Sequence, residues 1–207
     1  MKNILFLFPL FLLLSACSPK KASEAEVAAG KFAKVTAGSA KIEFLKEAPG
    51  EVDEDDIIFI KVNPGTITVG SLRASNNESF YVMTKPFSKS QLSKLIGTET
   101  GSDLASNTPF DFIEKAQEKL AKANPGLTVS LPTSQQWDFA FLSGKINENE
   151  QPICWEWTVM EESNAYTWRG RIWHIMELYD EEEQKKDPGI VQKDLGFRFA
   201  FKPEAAK

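Results

Sequence analysis

Histidine is nearly missing from this chain: His174 stands alone. Sites built on several imidazoles are thereby excluded. The 2 cysteines, Cys17 and Cys154, are too few for a disulfide-dense scaffold or a four-cysteine zinc centre. Positive charge is also short, with 24 Lys and Arg against 29 Asp and Glu, a net charge of −5 and a pI near 5.1. That balance argues against a phosphate-gripping basic face, so no nucleic acid partner is expected. The apolar run from Ile4 to Leu14 falls well short of the ~20 residues a membrane-spanning helix needs. What remains is 207 residues, 42% hydrophobic, 26% charged and 11% aromatic. This suits one ordinary domain or two very small ones, and is too apolar for a disordered chain.

Lys2, the apolar run and then Ser15, Ala16 and Cys17 read as a secretory signal. Leu14-Ser15-Ala16-Cys17 resembles the bacterial lipobox. The resemblance implies cleavage before Cys17 and acylation of it, with the chain anchored to a membrane by lipid. Ser18 rather than Asp after the cysteine implies the outer membrane if the cell is Gram-negative. Residues 1–16 are therefore expected as signal peptide and 17–56 as lipidated cysteine plus tether, because Ser18 to about Ala40 is rich in Lys, Ala, Ser, Glu and Gly. The acidic cluster from Glu51 to Asp56 reads as a solvated charge run, with a loose calcium contact as the sharper alternative.

The folded domain is expected over 57–207. Ile57–Val62 reads as a strand, Asn63-Pro64-Gly65 as a turn and Thr66–Val69 as the second arm of a hairpin. Ser79–Met83 is a further short strand. Ser88 or Ser90 caps a helix carrying Leu92, Leu95 and Ile96 and stopped by Gly97. Asp111 and Glu114 have capping-box spacing ahead of an apolar face of Phe112, Ala116 and Leu120. Thr133 and Gln136 repeat the box ahead of Trp137, Ala140 and Phe141. Trp155-Glu156-Trp157-Thr158 places both indoles on one side of an extended segment and the carboxylate on the other. Gly196–Phe201 alternates and reads as a closing strand. The sum is an irregular α+β domain.

Six segments, in order, resemble the formylglycine-generating-enzyme (sulfatase-modifying factor) family. They are Gly65–Ser71, Pro86–Leu92, Leu131–Ala140, Ile153–Thr158, Arg169–Trp173 and Leu195–Arg198. The resemblance implies a variant of the C-type lectin fold. It also makes Trp137, Trp155, Trp157 and Trp173 core residues, while Glu156 and Arg198 read as structural charges, partly buried and paired. Cys154 then falls at a buried strand position. The groove where enzymatic relatives hold a peptide would be lined here by Tyr166, Trp168, Arg169, Arg171 and His174. His174 equally fits a polar surface position or a satisfied core histidine.

The departures from that family set the functional expectation. Its active members carry a copper-binding cysteine pair, and the matching positions are Ile175 and Asp180. The iron-dependent sulfoxide synthases that share the fold need three His ligands, and His174 is alone. The family's Arg and Glu around L-P-T are Ser130 and Gln136. No catalytic residue, cofactor or metal is expected. The reading is a non-catalytic lipoprotein that uses the domain as a scaffold or recognition module for an envelope protein or peptide. The alternative is an oxidoreductase of the formylglycine-generating type with a rearranged site.

Overall fold

The computed structural model describes residues 30–36, 38–98, 110–146, 155–163, 166–169 and 195–203. Within them the chain is mixed α+β with mostly antiparallel strands and three short helices. The main sheet has six strands. β1 (Phe32–Val35), β2 (Ile42–Leu45), β3 (Ile57–Val62), β6 (Phe80–Met83), β7 (Leu127–Ser130) and β11 (Ala200–Pro203) run in the spatial order β2-β1-β3-β6-β11-β7. Between β3 and β6 the chain makes a separate ribbon of β4 (Gly65–Val69) and β5 (Leu72–Asn76). A third sheet joins β8 (Trp155–Val159), β9 (Tyr166–Arg169) and β10 (Leu195–Phe197) in the order β10-β8-β9.

The alternation along β3 and β6 explains why the main sheet is covered on both faces. Ile57, Phe59, Tyr81 and Met83 point into one cluster, while Val62, Phe80 and Val82 point into another. The first cluster is closed by helices α1 (Lys89–Ile96), through Leu92 and Leu95, and α2 (Phe110–Ala123), through Ile113, Ala116 and Leu120. The second is closed by helix α3 (Ser134–Leu142), through Trp137, Phe139 and Ala140, with Ala74 of the β4–β5 ribbon. Burying each large apolar side chain contributes ~1.5–3 kcal/mol, so these two layers supply most of the driving force. Tyr81 and Phe201 stack at 4.8 Å in the middle of the first cluster, with Phe59 edge-on to Phe201 at 4.9 Å.

The box expected at Thr133 forms, and Ser88, expected as a simple cap, forms one as well. Gln91 N–H donates to Ser88 Oγ and Gln136 N–H to Thr133 Oγ1, each at 3.1 Å, and both Gln side chains accept from the cap backbone in return. The box expected at Asp111 and Glu114 does not form, because α2 begins at Phe110 and places Asp111 inside its first turn. There Asp111 pairs with Lys115 one turn on, at 3.5 Å.

Four further expectations are corrected. The tether does not extend to residue 56. Ala33 and Val35 are buried in β1, the second strand from the sheet edge, and the ordered fold already includes Gly30. The partner of β4 is β5 and not β3, because Gly70 at φ +61° turns the chain back within two residues. Gly196–Phe201 is not one strand: it breaks at Arg198 and Phe199, leaving β10 in the small sheet and β11 in the large one. The acidic cluster is not a solvated run at its end. Asp55 and Asp56 are buried, with Asp55 paired to Lys94 and Asp56 to Lys34 at 3.4 Å. Gln91 Nε2 donates to the carbonyls of Asp56 and Glu54 at 2.8 and 3.3 Å, fastening this loop to the start of α1.

Candidate functional site

The residues with the most demanding chemistry meet in a polar layer between α3 and the small sheet. The cap at Thr133 sets the helix over β8, where Val159 N–H donates to Pro132 O at 3.0 Å. Ser134, Trp137 and Asp138 are three and four residues apart and so share one face of α3. Opposite them, the β8–β9 register pairs Glu156 with Arg169 and Thr158 with Thr167, which puts these four on one face of the small sheet. Ser134 Oγ and Thr158 Oγ1 are 3.3 Å apart. Trp137 Nε1–H donates to Glu156 Oε2 at 3.1 Å. Arg169 Nε–H reaches both Asp138 oxygens, at 3.1 and 3.4 Å.

Arg198 completes the layer. Its guanidinium donates from Nε to Glu156 Oε2 and from Nη2 to Glu156 Oε1, while Nη1 donates to the Met83 and Thr84 carbonyls at 2.8 and 3.2 Å. Glu156 is 4% exposed and Arg198 2%. Two opposite charges at such depth hold only when paired and hydrogen-bonded, and here each nitrogen of the fork and each carboxylate oxygen has a partner. One guanidinium thus ties together the end of β6, the middle of β8, helix α3 through the shared carboxylate, and the β10–β11 break where Arg198 itself sits.

The chemistry open to this layer is narrow. Glu156 accepts from Arg198 on both oxygens and from Trp137 on one, so both of its oxygens are engaged within the layer. Burial pushes the Asp138 carboxyl above the usual carboxylate range, with Arg169 pulling it partly back. The opposite face of the small sheet is apolar. Phe110 stands edge-on to Tyr166 at 4.3 Å and to Trp157 at 6.0 Å. Burial there pushes the Tyr166 phenol up, with Glu114 adding to the shift. Among the described residues, no three His, Cys, Asp or Glu side chains come together as a metal site.

The groove expectation meets the structure in part. Tyr166 and Arg169 both lie on β9 but face opposite ways, Tyr166 into the aromatic cluster and Arg169 toward α3. They do not line one surface. Trp168 takes its place in β9 across from Trp157, and Trp155 across from Leu195 in the β8–β10 pair, as backbone positions only. Arg171, Trp173, His174, Ile175 and Asp180, like Cys17 and Cys154, lie outside the described residues. Trp137 and Trp157 are buried, and Glu156 and Arg198 pair. Sequence reasoning missed Ser134, Asp138, Thr158 and Thr167. The helical spacing of Ser134, Trp137 and Asp138, set against the alternation of Glu156 and Thr158, was the available signal.

No protein-family model, no curated protein and no solved structure matches this chain.

Proposed function

We propose that this chain is a lipid-anchored, non-catalytic scaffold or recognition module of the cell envelope, built on a sulfatase-modifying-factor variant of the C-type lectin fold. The observation that carries the reading is the Glu156–Arg198 pair. It joins the W-E-W and G-F-R segments, which stand 42 residues apart, and commits their charges to holding two sheets and a helix in register. A carboxylate and a guanidinium so engaged support a framework role. The sequence adds two supports: Leu14-Ser15-Ala16-Cys17 for the anchor, and Ile175 and Asp180 where the copper-binding cysteine pair of the enzymes would fall.

The test has a structural and a chemical arm. Mass spectrometry of protein taken from its native membrane is expected to show a chain beginning at an acylated Cys17; an unmodified chain beginning elsewhere overturns the anchor. Incubation with copper, oxygen and a sulfatase-motif peptide is expected to leave the peptide cysteine unchanged. Conversion to formylglycine, abolished by Cys154→Ser, overturns the scaffold reading in favour of a one-cysteine oxidase.

A further inference from the structure

One end of the main sheet carries a surplus of lysine, and the described chain enters from the N-terminal side there. Lys31 immediately precedes β1. Its N–H donates to Leu45 O at 2.8 Å and its carbonyl accepts from Lys61 N–H at 2.9 Å. Lys46 follows Leu45 directly. Lys31, Lys46 and Lys61 therefore stand on three neighbouring strands at the same end of the sheet. One rung further, Lys61 lies opposite Tyr81 and Tyr81 opposite Phe201, which brings Lys202 to this end as well. Glu47 and Glu78 are acidic neighbours here, and Glu78 pairs with Lys202 at 2.6 Å. Lys31 and Lys46 are exposed. The opposite end, where Val35 meets both Ile42 and Ile57, is approached by the acidic loop of Glu51, Asp53, Glu54, Asp55 and Asp56. Lys34 pairs with Asp56 and Lys94 with Asp55 of that loop, and Lys41 and Lys85 stand at the same end.

Gly30 fixes where the fold begins. Tyr81 OH donates to Gly30 O at 2.7 Å, deep in the sheet, and a Cβ on Gly30 would stand 2.8 Å from that hydroxyl. Thirteen residue steps separate Gly30 from Cys17. Even fully extended they span no more than ~45 Å. Lys20 and Lys21 lie within this stretch.

We infer that the basic end of the sheet faces the anionic headgroups of the membrane that holds the chain, and that the acidic loop faces away. The inference rests on the proposed anchoring at Cys17. The short connection keeps the Lys31 end near the bilayer, and the lysine surplus there is attracted to an anionic surface that repels the acidic loop. The occupant of this surface is thus a phospholipid headgroup layer, and the acidic end with α1 is left for a soluble or envelope partner.

The orientation is read by tethering the chain from residue 17 onward, carrying Cys154→Ser, through the Cys17 thiol to a maleimide lipid in nanodiscs that also contain a gadolinium-chelate lipid. Coupling replaces the acyl chains, so the outcome does not depend on how the cell modifies Cys17. The N-terminal mass described above tests that separately. In discs containing phosphatidylglycerol, the amides of Lys31, Lys46 and Lys61 are expected to broaden severalfold more than those of 53–56. Phosphatidylcholine discs, or high salt that shortens the screening length, are expected to shrink the difference severalfold. The charge reversal Lys31→Glu with Lys46→Glu is expected to do the same in anionic discs. Equal broadening at the two ends, or a difference that ignores lipid charge and salt, overturns the inference. The lipid and salt comparisons use one protein, so they stand even if the reversed variant fails to fold.

Discussion

Arg198 grips Glu156 with two nitrogens, one on each carboxylate oxygen, and spends its third on the Met83 and Thr84 carbonyls. A lysine cannot reproduce this geometry, because it offers a point charge rather than a planar fork. The small sheet joins the large one here, where β10 gives way to β11.

Removing one partner of the pair leaves the other charge buried. Arg198→Ala and Glu156→Ala are each expected to destabilise the domain by ~3–5 kcal/mol in urea unfolding. Arg198→Lys is expected to recover only part of that loss. The double variant is expected to cost clearly less than the two single losses added, since no orphaned charge remains. Additive losses would show that the two residues act independently.

Asn124 makes a second clamp, at the end of α2. Its Oδ1 accepts from Ile42 N–H at 2.8 Å, and its Nδ2 donates to the Ala40 and Leu120 carbonyls at 2.7 Å each. This side chain hydrogen-bonds the edge strand β2 to the end of the helix. Asn124→Ala is expected to cost ~1–3 kcal/mol and to speed hydrogen exchange along Ile42–Leu45 first. Asn124→Asp retains the acceptor for Ile42 but presents an anion to two carbonyls, and is expected to be no better than alanine. Unchanged exchange in β2 would contradict the clamp.

What the sequence disclosed was mostly local. Thr133 with Gln136 is complete within four residues, so its box was readable, whereas the first helix disclosed a cap at Ser88 or Ser90 and not the reciprocal bond of Gln91. Gly97 and Gly144 ended helices at the positions where their positive φ is needed. What stayed hidden depends on distant partners. Phe32-Ala33-Lys34-Val35 is too short and too mixed to announce a strand, and its burial is supplied by β2 and β3 on either side. The break at Arg198 interrupts a clean alternation of Phe197, Phe199 and Phe201, and it exists because the guanidinium must turn to reach Glu156 and Met83. Within the candidate site, Glu156 and Arg198 were legible as partly buried, paired charges, but not as each other's partners. The approach of Asp138 to Arg169 required the relative placement of a helix and a strand, which no short segment encodes.

The ion pairs predict opposite pH responses. Lys94 beside Asp55, with a hydrogen bond from Ser90, holds the Asp55 carboxyl below its ordinary value. The folded state therefore favours the ionised form. The stabilisation is present above the unfolded pKa and is lost as pH falls through the lower, folded value. Asp138 is shifted upward by burial. Its contribution is fully present below the ordinary carboxylate pKa and declines as pH rises through the folded value. Asp55→Asn is expected to flatten the acid limb of a stability–pH curve, and Asp138→Asn to flatten the decline just above it. Melting temperatures between pH 3 and pH 7 check both; parallel curves for wild type and variants would contradict the assignments.

Tyr81 and Gly30 decide where the folded domain begins. The phenol hydrogen bond to the Gly30 carbonyl lies in the sheet interior, and burial pushes the Tyr81 pKa up to about 12. Any side chain at residue 30 meets the hydroxyl before it meets anything else. Gly30→Ala is therefore expected to destabilise the wild-type domain by ~1–3 kcal/mol, and to cost less in a Tyr81→Phe background, where the oxygen is gone. The same contact distinguishes two truncations. A chain starting at residue 30 retains β1 and β2 and is expected to unfold cooperatively. A chain starting at residue 57 exposes the edge of β3 and strips Ala33, Val35, Ile42 and Phe44 from the core. It is expected to lose its cooperative transition or aggregate through the bared strand. If the shorter chain instead melted like the longer one, the first two strands would be an ornament on the sheet rather than part of its core.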